Sequence, residues 1–150
     1  MTTDLLEKEV KLVAFSLNGK EYALDIHHVH SIEKMLSITR VPGVPSFIKG
    51  VINLRGNITP IIDLRSRFQI EEKEYDDRTR IIIVSLDGKE VGLIVDEAND
   101  VLTVKQNDIK PHPEVIGSEK QHFIQGVIKE NGRLFIVLQL ENVLNLQEER

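Results

Sequence analysis

The sequence predicts a mainly β protein built as two small barrels packed against each other, and three observations lead there. The chain matches itself: Ser16-Leu17-Asn18-Gly19-Lys20-Glu21 returns as Ser85-Leu86-Asp87-Gly88-Lys89-Glu90, and Phe47-Ile48-Lys49-Gly50-Val51-Ile52 returns as Phe123-Ile124-Gln125-Gly126-Val127-Ile128. The first pair is offset by 69 residues and the second by 76, so seven residues are inserted between the paired blocks of the second copy. Most apolar runs are short and rich in β-branched residues, the pattern of strands. Asn18-Gly19, Asp87-Gly88 and Asn131-Gly132 are dipeptides that enter type I′ hairpin turns readily, because both central residues of that turn need positive φ.

Each element follows in order. Residues 10–17 and 22–26 read as strands around Asn18-Gly19, and residues 27–34 as a helical turn with Val29 and Ile32 three apart on one side. Val41-Pro42-Gly43-Val44-Pro45 is a loop, since its prolines fix φ and remove donors. Strands at 48–54 and 58–62 flank Arg55-Gly56, and Pro60 implies an edge or a bulge there. Residues 63–68 and their counterparts 139–144 place apolar residues four apart and read as short helices plugging a barrel end. Between the copies runs a polar linker whose paired acids, Glu71-Glu72 and Asp76-Asp77, read as solvated spacers. Strands at 80–86, 91–95, 101–104, 124–129 and 134–138 complete the second copy. The division expected is one domain, 1–150, with subdomains near 10–70 and 79–146 and strand exchange between them left open.

At 150 residues the chain has the usual size of one domain and can bury roughly 70% of its unfolded surface. With 41% hydrophobic and 29% charged residues it has a globular balance rather than a disordered one. Without Cys there is no disulfide framework, thiolate nucleophile or sulfur-ligated metal, which suits a reducing cytoplasm. No apolar run approaches the roughly 20 residues of a membrane helix, and residues 1–11 lack the basic start and apolar stretch of a secretory signal. The net charge is −5 but uneven: Lys34, Arg40, Lys49, Arg55, Arg65 and Arg67 face a single acid, Asp63, across residues 34–67. A basic region on an acidic protein points to an acidic partner surface more than to nucleic acid, the alternative being a solvated mixed surface.

The fourth hairpin differs from the other three, because its tip places Arg55 before Gly56. Arg has no special tolerance for positive φ. Two readings stay open: a type II turn, where only Gly56 needs positive φ, or a guanidinium displayed at a rigid tip, suited to a carboxylate or to backbone carbonyls. Leu54 beside it would supply an apolar contact.

Phe47-Ile48-Lys49-Gly50-Val51-Ile52-Asn53-Leu54-Arg55-Gly56, followed by Pro60-Ile61-Ile62-Asp63-Leu64, resembles the signature stretch of the CheW family of bacterial chemotaxis adaptors. The likeness extends to the opening hairpin, the loop at Val41 and Pro42, the Gly92-Leu93-Ile94-Val95-Asp96 stretch and the closing strands from Gly126 to Leu140. The resemblance implies two five-stranded SH3-like barrels related by pseudo-two-fold symmetry, with short helices. It implies a cytoplasmic, non-catalytic adaptor without a cofactor, coupling chemoreceptors to the histidine kinase CheA in arrays at the inner face of the membrane. The length fits the stand-alone adaptor rather than the kinase or a receiver-bearing relative.

The same resemblance implies a receptor site in the groove between the barrels. Ile26, Val29 and Ile32 would form its apolar side, Asn53, Leu54 and Arg55 its polar tip, and Ala98 its opposing wall. Core packing competes for Ile26 and Ile32. Ser31 stands where some relatives carry an acid, so no acidic receptor contact is assigned. For the kinase, the candidates are Arg40, Val41, Val44, Phe47 and Ile48, a proline-stiffened loop leading into a strand; for Phe47 the counterpart Phe123 favours core packing. Further CheW copies in rings are another expected partner.

Other chemistry finds little support. His27, His28 and His30 with Asp25 make a weak zinc candidate, because in a strand His27 faces away from the other two and no second ligand cluster is visible, His112 and His122 lying in the inserted region. There is no Gly-x-x-x-x-Gly-Lys loop, Gly-x-Gly-x-x-Gly, Gly-x-Ser-x-Gly or His-Glu-x-x-His. A single-stranded nucleic-acid binder would need aromatic platforms, and five Phe and two Tyr are few. A small-molecule-binding barrel or enzyme is the remaining alternative.

Overall fold

Ten strands and two short α-helices form among residues 8–111 and 122–145, the part of the chain that the computed structural model describes. In chain order they are β1 (Glu9–Leu17), β2 (Lys20–Asp25), β3 (Val29–Lys34), β4 (Ile48–Leu54), β5 (Asn57–Asp63), α1 (Leu64–Arg67), β6 (Arg80–Leu86), β7 (Lys89–Val95), β8 (Glu97–Lys105), β9 (Ile124–Glu130), β10 (Arg133–Leu138) and α2 (Leu140–Val143). The fold is mainly β, with two sheets in the strand orders β8-β1-β2-β10-β9 and β3-β6-β7-β5-β4. Single bridges from Thr39, in the segment after β3, to Val51 on β4 and from Lys110, in the segment after β8, to Val127 on β9 tie the two outer strands of each sheet together, so each sheet curls into a barrel.

The internal repeat is visible in the pairing. Replacing β1, β2, β8, β9 and β10 by β6, β7, β3, β4 and β5 converts one strand order into the other. The hairpins are exchanged: β1–β2 of the first copy joins β8–β10 of the second, while β6–β7 of the second joins β3–β5 of the first. The sheets therefore do not divide at residues 70–79. Only Ile26–His28 separates β2 from β3, and only Asp96 separates β7 from β8. Links that short cannot carry the chain back across its own sheet, so the next strand enters the other one.

Two local expectations change. Residues 29–34 form strand β3, not a helix; only Ile26–His28 coils, as a 3-10 turn whose first N–H groups are capped by Asp25, Oδ1 accepting from His27 N at 2.9 Å. Pairing of Ile32 with Ile82 on β6 wins over a helical spacing too short to stand alone. Pro60 lies on β5 between β4 and β7, not at an edge, but beside the bulge expected as the alternative: the register of β4 on β5 shifts between Ile48 and Gly50, next to the pair of Val51 and Pro60. Its missing N–H is harmless because the parallel pairing with β7 begins one residue later, at Ile61.

Strand alternation sorts apolar side chains into three cores. Leu12, Ala14, Ala23, Ile128, Phe135 and Val137 fill one barrel, and Ile52, Leu54, Ile61, Ile81, Ile83 and Ile94 the other. Phe15, Leu17, Tyr22, Leu24, Phe47, Phe68, Phe123, Leu140 and Val143 lie among the residues of a third core shared by both sheets. The two barrel interiors exchange volume between equivalent positions. Phe135 packs with Ala14 and Ala23 in one, where the other has Thr59, Ile83 and Gly92. A Cβ on Gly92 would stand 2.6 Å from Ile61 Cδ1 and 2.8 Å from Ile81 Cγ2, so a methyl at the place of Ala23 would force these isoleucine side chains to shift.

Candidate functional site

The Arg55 hairpin settles into the same turn as its three counterparts. Arg55 has φ 52°, beside 55° at Asn18, 54° at Asp87 and 54° at Asn131, and Gly56 has φ 87°. The type II reading is thereby excluded. For Asn or Asp this conformation is mild, whereas for Arg it costs roughly 1–2 kcal/mol. Asn53 braces the turn, its Oδ1 accepting from Gly56 N at 2.9 Å. The Arg55 side chain stays 64% exposed, and among the described residues it meets Glu33 on β3 at 3.5 Å, a contact long enough to contribute little.

Around this tip the expected receptor residues separate. Asn53 and Arg55 point outward, so by strand alternation Leu54 points inward; it is 8% exposed and packs with the barrel interior, which corrects its assignment as an apolar contact for a partner. The apolar surface at the tip comes instead from Ile58, opposite Asn53 on β5 and 65% exposed. Ile32 is exposed on β3, on the opposite face of the strand from the Glu33 that reaches Arg55. Val29 and Ile26 are half-buried, Val29 against the shared core. Ala98, half-buried opposite Phe15, stands on β8 of the other sheet. Sequence reasoning missed Glu33 and Ile58; the alternation that turns Leu54 inward is the signal that would have found Ile58.

An open groove of about 800 Å³ lies beside the proline loop, lined among others by Arg40, Val41, Val44, Pro45, Ile48, Glu72 and Tyr75. Four of the five expected kinase contacts thus share one surface, with Val41 and Val44 exposed. The fifth, Phe47, faces away: it is buried in the shared core, its ring 4.7 Å from the Arg67 guanidinium. The far wall is the linker between copies, which is anchored rather than a free spacer. Lys49 Nζ donates to both Glu72 carboxylate oxygens at 2.9 Å, and Tyr75 Oη donates to Asp63 Oδ2 at 2.8 Å. Burial and the Asp63 carboxylate both push the Tyr75 phenol up, so it acts as a neutral donor. Asp76 accepts from Arg78 N and from Thr79 Oγ1 to form a turn before β6.

The basic residues of the first copy are largely committed to internal contacts. Arg65 on α1 grips Asp96 with two bonds, Nε to Oδ1 at 2.9 Å and Nη2 to Oδ2 at 2.7 Å, while Asn18 N also donates to Oδ2 at 2.8 Å. Burial raises the pKa of Asp96, but the hydrogen bonds from Arg65 and Asn18 outweigh it and hold the carboxyl below its usual range. Asp96 is the single residue between β7 and β8, so this clamp sits where the chain passes from one barrel to the other. Lys49 is paired, Arg55 touches Glu33 and Arg67 is buried.

The histidines make local contacts: His27 Nδ1 lies 2.9 Å from Asp25 Oδ1 and His30 Nδ1 lies 3.6 Å from Glu90. No group of three His, Cys, Asp or Glu side chains with metal-binding geometry occurs among the described residues, and His112 lies outside them. No described helix is long and apolar enough to cross a membrane. What the arrangement offers is docking: a groove of mixed apolar and charged lining, and a braced tip carrying an exposed guanidinium.

Comparison with known proteins gives one answer. The sequence model of the CheW-like domain matches residues 11–148. The chain is 46% identical over 145 residues to the chemotaxis protein CheW of Bacillus subtilis (strain 168), covering 97% of this chain and 92% of that one. It is 33% identical over 138 residues to that of Helicobacter pylori, covering 92% and 83%. The solved structure of the scaffolding protein TtCheW from Thermoanaerobacter tengcongensis superposes with a TM-score of 0.85 at 40% identity, over 92% of this chain and 94% of that one.

Proposed function

The chain belongs to the CheW family of chemotaxis adaptors, and from that premise we propose that it couples chemoreceptors to the histidine kinase CheA by presenting two separate docking surfaces, without catalysis or a cofactor. It acts in the cytoplasm, at receptor arrays on the inner face of the membrane. The observation that carries this reading is Arg55, an exposed arginine held at φ 52° where three equivalent turns use Asn or Asp. An arginine held at a local cost in stability, with its side chain in solvent, is better explained by a partner than by the fold.

The receptor surface comprises Arg55, Asn53, Ile58 and Ile32, flanked by Val29 and Ile26, with Ala98 as the wall on the other sheet. Exposed apolar side chains on the strands that flank a guanidinium suit the end of a helical hairpin, whose carbonyls or carboxylates accept from Arg55. For the kinase, the surface is the groove of Arg40, Val41, Val44 and Ile48, extended by Tyr75 across the linker. Further copies of the adaptor are additional partners in rings. CheA mixed with receptor-bearing membranes tests the reading through receptor-dependent kinase phosphorylation. Arg55→Ala should lower receptor coupling with kinase binding intact, and Val44→Asp should do the reverse. If the wild-type chain neither binds CheA nor changes its receptor-dependent activity, the proposal fails.

A further inference from the structure

Arg67 is a buried cation, 7% exposed, at the point where the two copies meet. Its guanidinium lies 4.7 Å from the Phe47 ring and 4.8 Å from the Phe123 ring, two residues equivalent in the repeat. Nε donates to Val143 O at 2.8 Å, and Nη2 to Asn145 O at 3.0 Å and Asn142 O at 3.3 Å. Val143 is the repeat equivalent of Arg67 itself, so the symmetry is broken at this place by one side chain reaching for the backbone of its own counterpart.

The helix ends explain why. At α1 the closing bonds are local: Ile70 N donates to Arg65 O at 2.7 Å and Gln69 N to Ser66 O at 3.1 Å, with Gln69 at φ 63°, and two arginines occupy the last turn. That is a self-contained C-terminal cap. At α2 no basic residue occupies the last turn, and its end carbonyls accept from Arg67 of the other copy. Four residues are too few to hold a helix by their own hydrogen bonds. Leu140 and Val143 pack into the shared core, Asn142 Nδ2 donates to His122 O at 2.6 Å, and Arg67 supplies the cap.

We propose that residues 139–145 form a strap latched by Arg67 across the aromatic row of Phe68 and Phe123, a segment that can detach locally without breaking a strand. Beyond the core packing of Leu140 and Val143 and a few backbone bonds, the end of the strap is fastened by one side chain of the other copy, whereas every β-strand is held by a ladder. Release uncovers Phe68 and Phe123, whose rings meet at a tilt with centroids 5.0 Å apart, and loosens the seam between the barrels.

Amide exchange on the full chain tests this. In Arg67→Met, the amides of Val143, Leu144 and Asn145 should exchange at least tenfold faster than in the wild type, while strand amides of β1 and β6 keep their rates. Equal acceleration in strap and strands, or no acceleration in the strap, overturns the proposal. Should Arg67→Met fail to fold, Arg67→Lys keeps the charge and loses the fork, and the same comparison between strap and strands decides.

Discussion

At the scale of single residues, sequence reasoning named the informative position and left its geometry open. Arg55 stood out because Asn or Asp precedes Gly at the other three tips, but a four-residue stretch cannot tell a type I′ from a type II turn. The observed φ of 52° turns the ambiguity into a measurable strain. Arg55→Asn should stabilise the protein by about 1 kcal/mol, seen as a Tm rise of roughly 2–4 °C for a chain of this size, because Asn tolerates this region of φ. The same variant should lose receptor coupling. An unchanged or lower Tm would mean that the turn costs Arg nothing. Leu54 and Phe47 were harder to assign, since an apolar residue in a recognisable motif reads alike as contact or core. Strand parity and the stack beneath Arg67 decide both for the core.

At the scale of elements, nine of the strands were legible because hairpins announce themselves through period-two patterns and turn dipeptides. β3 was not, because Val29-His30-Ser31-Ile32 spaces its apolar residues at three and becomes a strand only through pairing with β6. Invisible too was the clamp at Asp96, whose partners Arg65 and Asn18 lie 31 and 78 residues away. Its chemistry predicts a pH signature. Asp96 has its carboxyl held below the ordinary value by Arg65 and Asn18 despite burial. A depressed folded-state pKa stabilises above the unfolded value of about 3.9, and that stabilisation is lost as pH falls through the folded value. Asp96→Asn should therefore melt below the wild type at pH 7, and the two curves should converge in thermal scans toward pH 3 and lower. A gap that stays constant with pH would assign the loss to packing rather than to charge.

Across the whole molecule, the repeat revealed two like barrels but could not reveal which strands belong to which, because equivalent hairpins fit either sheet. The two short crossings decide it. Since each sheet draws strands from both copies and both share a core, neither barrel should melt alone. Urea unfolding followed by far-UV circular dichroism and by tyrosine fluorescence should give one coincident transition. Two separated transitions would show barrels that unfold independently.

The exchanged hairpins also bear on what a protease could do to this chain. A single nick at Asp96 would leave an N-terminal piece holding the whole β3–β7 barrel and, still threaded through the other one, the β1–β2 hairpin. The severed ends would belong to two polypeptides, yet the pieces would remain gripped by two ladders, β1 to β8 and β2 to β10, in the barrel they share. Cutting the backbone here would not divide the adaptor into its two halves.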